Sequence, residues 1–168
     1  MIAGERQETN NAEYALVVEH EPWHCIELEC TKAQDRETGG ILIGYYTEDE
    51  STAIITEASA PPRDSIGGGN WFQRGLAGLK TLLLRRWNQK QRMYYLGEWH
   101  YHPTMHIEPS HEDIHQLWEI RASPNYHCQE PIMLIVGQAT DGVRPVRLFV
   151  FPRGKRYFEY QRLPSEIP

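Results

Sequence analysis

The sequence predicts a single α/β domain in which helices flank a mixed β-sheet. Segments with the two-residue period of strands alternate with segments of helical spacing along most of the chain. One segment, residues 131 to 137 (PIMLIVG), is apolar throughout, as expected for a strand buried on both faces. With 168 residues the chain has the length of one domain and can bury a substantial core.

Residues 1 to 12 are polar and are expected to form a loose N-terminal segment, so we predict that the domain spans residues 13 to 163. Residues 14 to 18 have the pattern of a short strand. A helix is predicted from Pro22, because proline suits the first helical turn. The apolar side chains of this helix recur at helical spacing, at Trp23, Ile26, Cys30 and Ala33.

Residues 39 to 46 and 51 to 59 are predicted to form two strands of a hairpin, joined by an acidic turn. The first strand begins with Gly39 and Gly40. Because glycine has no side chain, we expect another backbone, including that of an extended substrate, to approach the chain closely at this point.

Residues 61 to 70 (PPRDSIGGGN) are predicted to be a loop, either a wall or flap of a binding site or a plain connector. A core helix packed against the sheet is predicted for residues 71 to 89. Its apolar side chains share one helical face: Phe72, Leu76, Leu79, Leu83 and Trp87.

Residues 93 to 102 (MYYLGEWHYH) are rich in aromatic side chains and predict a strand. Side chains alternate between the two faces of a strand, so His100 and His102 point to the same side. Trp99 and Tyr101 then point to the other side, toward a core. The proline that follows cannot donate to a sheet ladder and is expected to end the strand, which leaves the second imidazole accessible.

Another helix is predicted to begin after Ser110, a favourable N-cap residue that places Asp113 in the first turn. The helical spacing includes Asp113, Ile114, Leu117, Trp118 and Arg121. Two imidazoles at a strand end and one carboxylate at a helix start can therefore converge on one point. Beyond this helix we predict a loop at residues 123 to 130, a hairpin turn at Asp141-Gly142, and strands at residues 146 to 151 and 156 to 160.

Three nitrogen and oxygen ligands with a fourth position open to water are typical of a catalytic zinc site, whereas structural sites normally use four protein ligands and more sulfur. We therefore predict that His100, His102 and Asp113 hold one Zn²⁺, which lowers the pKa of a bound water to about 7. Spacing alone leaves alternatives without a metal. The histidine pair would also suit a polar strand surface, and Ser110 with Asp113 has the spacing of a capping box.

Other ionisable side chains lie close to these ligands in sequence. Glu98 is on the same strand face as the two histidines, so spacing alone leaves it as an alternative ligand or base. His106, His111 and His115 could supply further ligands, although we expect them to face solvent or to form hydrogen bonds. Glu37 follows the first predicted helix, where a carboxylate opposes the helix dipole, and a surface carboxylate is the alternative to a functional one.

Two motifs together resemble those of a known family. The first is His-x-His-Pro at residues 100 to 103, with seven residues between His102 and Ser110 and two more between Ser110 and Asp113. The second is ETGGILIG at residues 37 to 44, which is similar to a family pattern E-x-x-G-x-L-x-G. Their order and separation resemble the JAMM motif of the JAB/MPN metalloproteases, over residues 14 to 150.

The resemblance implies a JAB/MPN domain with a cytidine-deaminase-like architecture. It implies His100, His102 and Asp113 as the ligands of one Zn²⁺ per chain. It also implies Glu37 as the general acid and base, and Ser110 as a stabiliser of the tetrahedral intermediate. Glu98, on the predicted strand that carries His100 and His102, is then expected to lie beside the site or at the surface.

The residues of both motifs are most similar to those of compact bacterial members associated with ubiquitin-like conjugation and CBASS antiphage defence. The resemblance therefore implies a deubiquitinase-like isopeptidase or peptidase that cleaves the amide bond after the C-terminus of a ubiquitin-like or nucleotidyltransferase-like protein. Implied partners are that conjugated tail and proteins similar to ubiquitin-activating and ubiquitin-conjugating enzymes. A catalytically silent scaffold and a hydrolase of small-molecule amides are the alternatives, and retention of all five motif positions favours the enzyme.

Composition argues against several other classes. A net charge of −6 disfavours nucleic-acid binding by phosphate neutralisation. No apolar run approaches the roughly 20 residues of a membrane-spanning helix, and the N-terminal residues lack a signal-peptide pattern. The sequence also lacks C-x-x-C, H-E-x-x-H, P-loop and G-x-S-x-G motifs. An odd set of cysteines without framework spacing predicts packed thiols in a reducing cytoplasm: Cys25, Cys30 and Cys128.

Overall fold

A computed structural model describes residues 14 to 154 and 157 to 160 of the chain. Within these residues it contains a seven-stranded mixed β-sheet, a two-stranded sheet and three α-helices. The predicted α/β domain, a mixed sheet flanked by helices, is confirmed. The predicted loose segment at residues 1 to 12 lies outside the described residues, as do both ends of the predicted span 13 to 163.

The strands are β1 (Ala15–Val18), β2 (Thr38–Tyr46), β3 (Thr52–Ala58), β4 (Ile66–Gly67), β5 (Phe72–Gln73), β6 (Tyr94–Tyr101), β7 (Ile132–Val136), β8 (Val146–Val150) and β9 (Phe158–Glu159). The helices are α1 (His20–Ala33), α2 (Leu79–Trp87) and α3 (His111–Ala122). Strands β4 and β5 pair only with each other and lie in the connection between β3 and α2, residues 60 to 78, which we call loop 60–78.

The large sheet has the order β1-β3-β2-β6-β7-β8-β9. Strand β1 is parallel to β3 and β6 is parallel to β7, whereas the other neighbours are antiparallel. The antiparallel pairing of β2 with β6 sets Thr38 opposite Tyr101. This register brings the start of β2, and with it Glu37, to the end of β6 where the histidines lie.

Helix α1 covers one face of the large sheet, and α2 and α3 cover the other. The core on the α1 face includes Trp23, Ile26, Leu42, Trp99, Tyr101 and Leu134. The core on the other face includes Ile41, Tyr95, Leu117, Ile120, Met133 and Ile135. All five residues of β7 are buried, which confirms the prediction of a strand covered on both sides and explains its continuous apolar sequence.

The predicted core helix at residues 71 to 89 is wrong in its first half and in its burial. Helix α2 begins at Leu79, which is its one buried residue. Before it, the backbone of loop 60–78 turns back so that the carboxylate of Asp64 accepts two hydrogen bonds from backbone N–H groups that a helix would have used. Gly78, at φ 83°, takes the left-handed conformation just before the helix. Several apolar side chains of the predicted helical face are therefore exposed, among them Leu76 and Trp87.

The other predicted elements are present, and most of their ends shift by one or two residues. Strands β2 and β3 form the expected antiparallel hairpin. The turn at Asp141-Gly142 is confirmed, with φ of 52° and 78° at the two residues and a bridge from Thr140 to Val143. The last predicted strand is shorter than residues 156 to 160, because β9 covers Phe158–Glu159 and residue 156 lies outside the described residues.

The three cysteines are free thiols, and two of them, Cys30 and Cys128, are buried as predicted. Burial raises the pKa of each of these two thiols to about 12, which keeps them protonated and unreactive. In residues 14 to 154 and 157 to 160, no helix has the length and apolar character needed to cross a membrane.

Candidate metal centre

Strand β6 carries one candidate ligand, and the next candidate follows directly after the strand. Trp99 and Tyr101 are buried in the α1 core, so His100 between them faces the opposite side of the sheet, as predicted. The backbone N–H of His102 donates to the Val136 carbonyl at 2.9 Å, which continues the pairing with β7 past the end of β6. The side chain of His102 is thereby held next to that of His100.

The start of α3 provides the third candidate ligand. Ser110 is the N-cap, and its hydroxyl oxygen accepts a hydrogen bond from the backbone N–H of Asp113 at 3.1 Å. In return the Oδ2 of Asp113 accepts from the backbone N–H of Ser110 at 2.7 Å. The capping box considered from spacing is therefore present. It fixes the carboxylate in place through Oδ2 and leaves Oδ1 directed to His100.

His100, His102 and Asp113 form one buried cluster. The Nδ1 of His100 lies 2.7 Å from the Oδ1 of Asp113, and the Nε2 of His102 lies 3.6 Å from Oδ2. The candidate ligand atoms of the three residues all lie within 4.8 Å of one another. Tetrahedral zinc sites bind such nitrogen and oxygen atoms at about 2.0 to 2.2 Å, so atoms this close to one another can share one ion.

The charges in the cluster favour the ionised form of Asp113, which metal binding requires, and the protonated form of His102, whose proton a bound metal would displace. Burial opposes ionisation of Asp113, but the hydrogen bonds from His100 and His102 lower the pKa of Asp113 far below its ordinary value. Burial alone would lower the pKa of His102, whereas the hydrogen bond and charge of Asp113 raise it above the ordinary value. The backbone carbonyl of His106 also accepts from the Nδ1 of His102 at 3.3 Å, which leaves Nε2 directed toward the cluster.

One buried nitrogen supports metal binding independently of spacing. In the part of the chain that the structure describes, the Nε2 of His100 has no hydrogen-bond partner although it is shielded from solvent. The ring is also packed edge-on against Phe72, with ring centroids 5.5 Å apart. A buried polar atom without a partner costs roughly 1 to 3 kcal/mol, a cost that coordination of a cation would remove. The donor set of two imidazoles and one carboxylate therefore fits Zn²⁺.

Glu37 lies between α1 and β2, beside the cluster. Its side chain is half-buried, and burial raises its pKa above the ordinary value. The charges of His102 and Asp113 act on that pKa in opposite directions, which places the carboxyl group within their electrostatic reach. The backbone N–H of Glu37 donates to the Gly68 carbonyl at 2.7 Å, so loop 60–78 holds this residue from the other side.

A groove of about 310 Å³ opens next to Glu37. It lies between the end of α1 and loop 60–78, and its lining includes Glu37, Thr38 and Phe72. The remaining lining is Glu29, Lys32, Ala33, Arg36, Pro61, Pro62, Arg63, Ser65, Ile66 and Gly67. The predicted loop at residues 61 to 70 thus forms one wall of a groove that Glu37 also lines.

Glu98 is neither a fourth member of the cluster nor a surface residue. Its side chain is fully buried and forms an ion pair with Arg74, with 2.6 Å between Oε2 and Nε. The hydroxyl of Tyr95 donates to its other oxygen at 2.7 Å. Both carboxylate oxygens are therefore occupied by protein donors, which leaves Glu98 beside the site but not in it.

The three further histidines of this region are exposed, as expected: His106, His111 and His115. His106 contributes its backbone carbonyl to the position of His102. The Nδ1 of His115 lies 3.7 Å from Glu119 one turn along α3. None of the three belongs to the buried cluster identified within the described residues.

The interpretation that Gly39 and Gly40 leave room for a substrate backbone is wrong. A Cβ at Gly39 would lie 2.3 Å from the Trp99 carbonyl oxygen and 2.7 Å from the Cδ2 of His100. A Cβ at Gly40 would lie 2.3 Å from the Ser59 carbonyl oxygen. The chain itself fills this space, and the absence of a side chain at Gly39 allows His100 to pack against β2.

Sequence patterns did not indicate Phe72 and Arg74 as parts of the region. Apolar spacing predicts Phe72 on the buried face of a helix, whereas its ring packs on His100. A buried arginine gives no periodic signal, because its partner Glu98 is remote in sequence. The one available signal was the position of Glu98 on a strand face, because a carboxylate that is buried there requires a nearby cation.

The chain is similar to known proteins in both sequence and fold. The family described as prokaryotic homologs of the JAB domain matches residues 26–149. A protein of Enterobacter hormaechei subsp. hoffmannii (strain UCI 50), named CD-NTase/cGAS isopeptidase, is 44% identical over 146 residues, which cover 87% of this chain and 80% of that protein. The solution structure of protein DSY2949 from Desulfitobacterium hafniense is similar in fold, with a TM-score of 0.57 and 16% identity. That similarity covers 86% of this chain and 88% of the other.

Proposed function

Because this chain belongs to the family of prokaryotic JAB domains, we propose that it is a zinc-dependent isopeptidase. Its proposed reaction is cleavage of the amide bond that joins the C-terminus of a conjugated protein to an amine. The resemblance predicted from the two motifs is confirmed at the level of the family. The observation that carries the proposal is the buried cluster of His100, His102 and Asp113, with its partnerless imidazole nitrogen and with Glu37 beside it.

The proposed site divides the work among five side chains. His100, His102 and Asp113 would hold the metal. A Zn²⁺ ion bound there supplies Lewis acidity, which polarises a carbonyl and lowers the pKa of a coordinated water to about 7. Glu37 accepts the proton of the attacking water and transfers it to the departing amine. Because its side chain is half-buried, this carboxylate is partly shielded from bulk solvent during the transfer.

Ser110 is proposed to assist in the same step. Its oxygen already accepts the Asp113 backbone N–H, but a hydroxyl has one donor as well as acceptor capacity. The O–H is therefore available to stabilise the negative oxygen that forms on the substrate carbonyl. The capping bond fixes the position of this hydroxyl relative to Asp113.

We expect Ser110→Ala to reduce turnover and stability together. Loss of the donor should lower the rate about a hundredfold to a thousandfold, and loss of the cap should lower the free energy of unfolding by about 1 kcal/mol. Ser110→Thr retains a hydroxyl and is the matched control. Steady-state kinetics and thermal unfolding of both variants test this. A Ser110→Ala protein with reduced stability and unchanged turnover would limit the residue to its capping role.

The proposed substrate is the C-terminal tail of a nucleotidyltransferase-like or ubiquitin-like protein. The relative's name, CD-NTase/cGAS isopeptidase, supports the first class. The groove is lined by Glu37 and has room for a few extended residues, so a tail lying in it would bring its last carbonyl close to the proposed base. Enzymes similar to ubiquitin-activating and ubiquitin-conjugating enzymes are proposed as functional partners. The cytoplasm is proposed as the location, since the three free thiols suit a reducing compartment.

Cleavage of defined fusions tests this proposal. A cognate nucleotidyltransferase-like protein is joined through its C-terminal residue to a reporter amine, and a second fusion carries altered final residues. We expect chelator-sensitive cleavage after the final residue of the cognate tail and little cleavage of the altered one. Cleavage of small amides alone, or equal cleavage of both fusions in the presence of chelator, would contradict the proposal.

A further inference from the structure

A buried ion pair joins loop 60–78 to strand β6. The side chains of Arg74 and Glu98 are 3% and 0% exposed, and the guanidinium Nε donates to the carboxylate at 2.6 Å. The remaining donors of Arg74 contact the Tyr126 hydroxyl at 3.1 Å and the Gly75 carbonyl at 2.9 Å. Neither Arg74 nor Glu98 has a role in the proposed amide cleavage.

The pair has a definite relation to the candidate metal ligands. Arg74 follows Phe72 by two residues, and Glu98 precedes His100 by two residues. Phe72 contacts His100, and Arg74 contacts Glu98, so the loop runs antiparallel over β6 with two successive side-chain contacts. A shift of the loop along β6 would break both contacts at once.

The same loop holds the proposed base. The Gly68 carbonyl accepts the Glu37 backbone N–H at 2.7 Å, and a Cβ on Gly67 would lie 3.1 Å from the Glu37 carbonyl oxygen. At its base the loop is closed on itself, because Asp64 and Ser65 accept backbone N–H groups from residues 75 to 77. These local bonds fix the shape of the loop but do not determine where it sits over β6.

We propose that Arg74 and Glu98 are positioning residues that hold loop 60–78 in one register over β6, which places Phe72 against His100 and the Gly68 carbonyl on Glu37. An apolar contact would tolerate sliding of the loop, whereas a buried charge that loses its partner is strongly disfavoured. The ion pair therefore selects one loop position. This inference rests on the proposed function for its effect on turnover, and on the structure alone for its effect on Glu37.

The first test is Arg74→Met. We expect turnover to fall about a hundredfold, as for a small misplacement of a catalytic group, while zinc content is retained because no ligand changes. Hydrogen exchange at the Glu37 amide should become faster, since its acceptor on the loop is released. Arg144→Met is the matched control. It breaks another Arg–Glu pair, between the buried Arg144 and the partly exposed Glu27, on the side of β6 occupied by Tyr101, and should leave Glu37 exchange and turnover of the folded protein unchanged.

The double variant Arg74→Met with Glu98→Gln separates positioning from simple stability. It removes both charges, so the melting temperature should recover relative to Arg74→Met alone. Turnover should stay low and Glu37 exchange fast, because no directional contact remains between loop and strand. Recovery of stability, turnover and exchange together would show that the pair serves only the fold and would overturn the inference.

A milder variant covers the case in which Arg74→Met does not fold. Tyr126→Phe removes the hydroxyl that accepts from Arg74 but keeps the ring contact with Tyr95, so its melting temperature should change little. Turnover should fall and Glu37 exchange should rise, both less than in the double variant. Unchanged turnover and exchange in this variant and the double variant would contradict the inference. A wild-type protein without cleavage activity would contradict the proposed function instead, while Glu37 exchange would still test the pair.

Discussion

The double substitution His100→Ala with His102→Ala is expected to abolish both metal binding and cleavage. It removes two of the three candidate ligands and leaves one carboxylate, which is too few for a tight zinc site. The expected loss of activity is complete within the sensitivity of a cleavage assay, because water attack on an amide without Lewis-acid assistance is slow. Elemental analysis of the purified variant should find no bound zinc.

The control for this variant is His106→Ala with His111→Ala. These exposed histidines belong to the same region of the sequence, so the control removes two imidazoles without touching the cluster. It should retain zinc and turnover. Full zinc occupancy in the first double variant, or loss of zinc in the control, would contradict the assignment of ligands.

Glu37→Gln is expected to retain zinc and lose most turnover. The substitution keeps the shape of the side chain and the backbone hydrogen bond to Gly68, but an amide cannot accept the proton. General-base catalysis typically contributes about 10² to 10⁴ in rate, so turnover should fall by that factor with little change in stability. Steady-state kinetics, elemental analysis and thermal unfolding of one preparation measure turnover, zinc content and stability.

The matched control is Glu112→Gln, an exposed carboxylate in the first turn of α3 next to Asp113. It removes one negative charge near the site and should leave turnover nearly unchanged. A fully active Glu37→Gln protein would show that the family role has been assigned to the wrong residue. Loss of zinc in that variant would instead make Glu37 a ligand.

The sheet and two of the helices were predictable because their side chains have strong periodicity. The aromatic alternation around His100 and the fully apolar β7 have few alternatives once one face must be buried. Helix α2 was not predictable in the same way, because the Asp64 carboxylate takes the backbone N–H groups that would have extended it. A side chain that competes for backbone donors from a distance leaves no local pattern.

The proximity of His100, His102 and Asp113 was predictable, because local structure sets the position of each side chain. A strand end sets the two histidines side by side, and a capping box sets Asp113 in the first helical turn. The metal and the catalytic roles stay predictions. The burial and pairing of Glu98 with Arg74 could not be predicted, because they depend on how a glycine-containing loop folds back over the sheet. The space around Gly39 was likewise filled by the chain's own atoms rather than by a substrate.

Zinc titration tests whether the cluster of His100, His102 and Asp113 is a catalytic metal site. Protein stripped with a chelator and then freed of it should be inactive on the cognate tail fusion. Added zinc should restore cleavage in proportion and reach a plateau at about one equivalent per chain, as expected for one three-ligand site. Full cleavage by the stripped protein, or zinc binding at one equivalent without any cleavage of the fusion, would contradict the account.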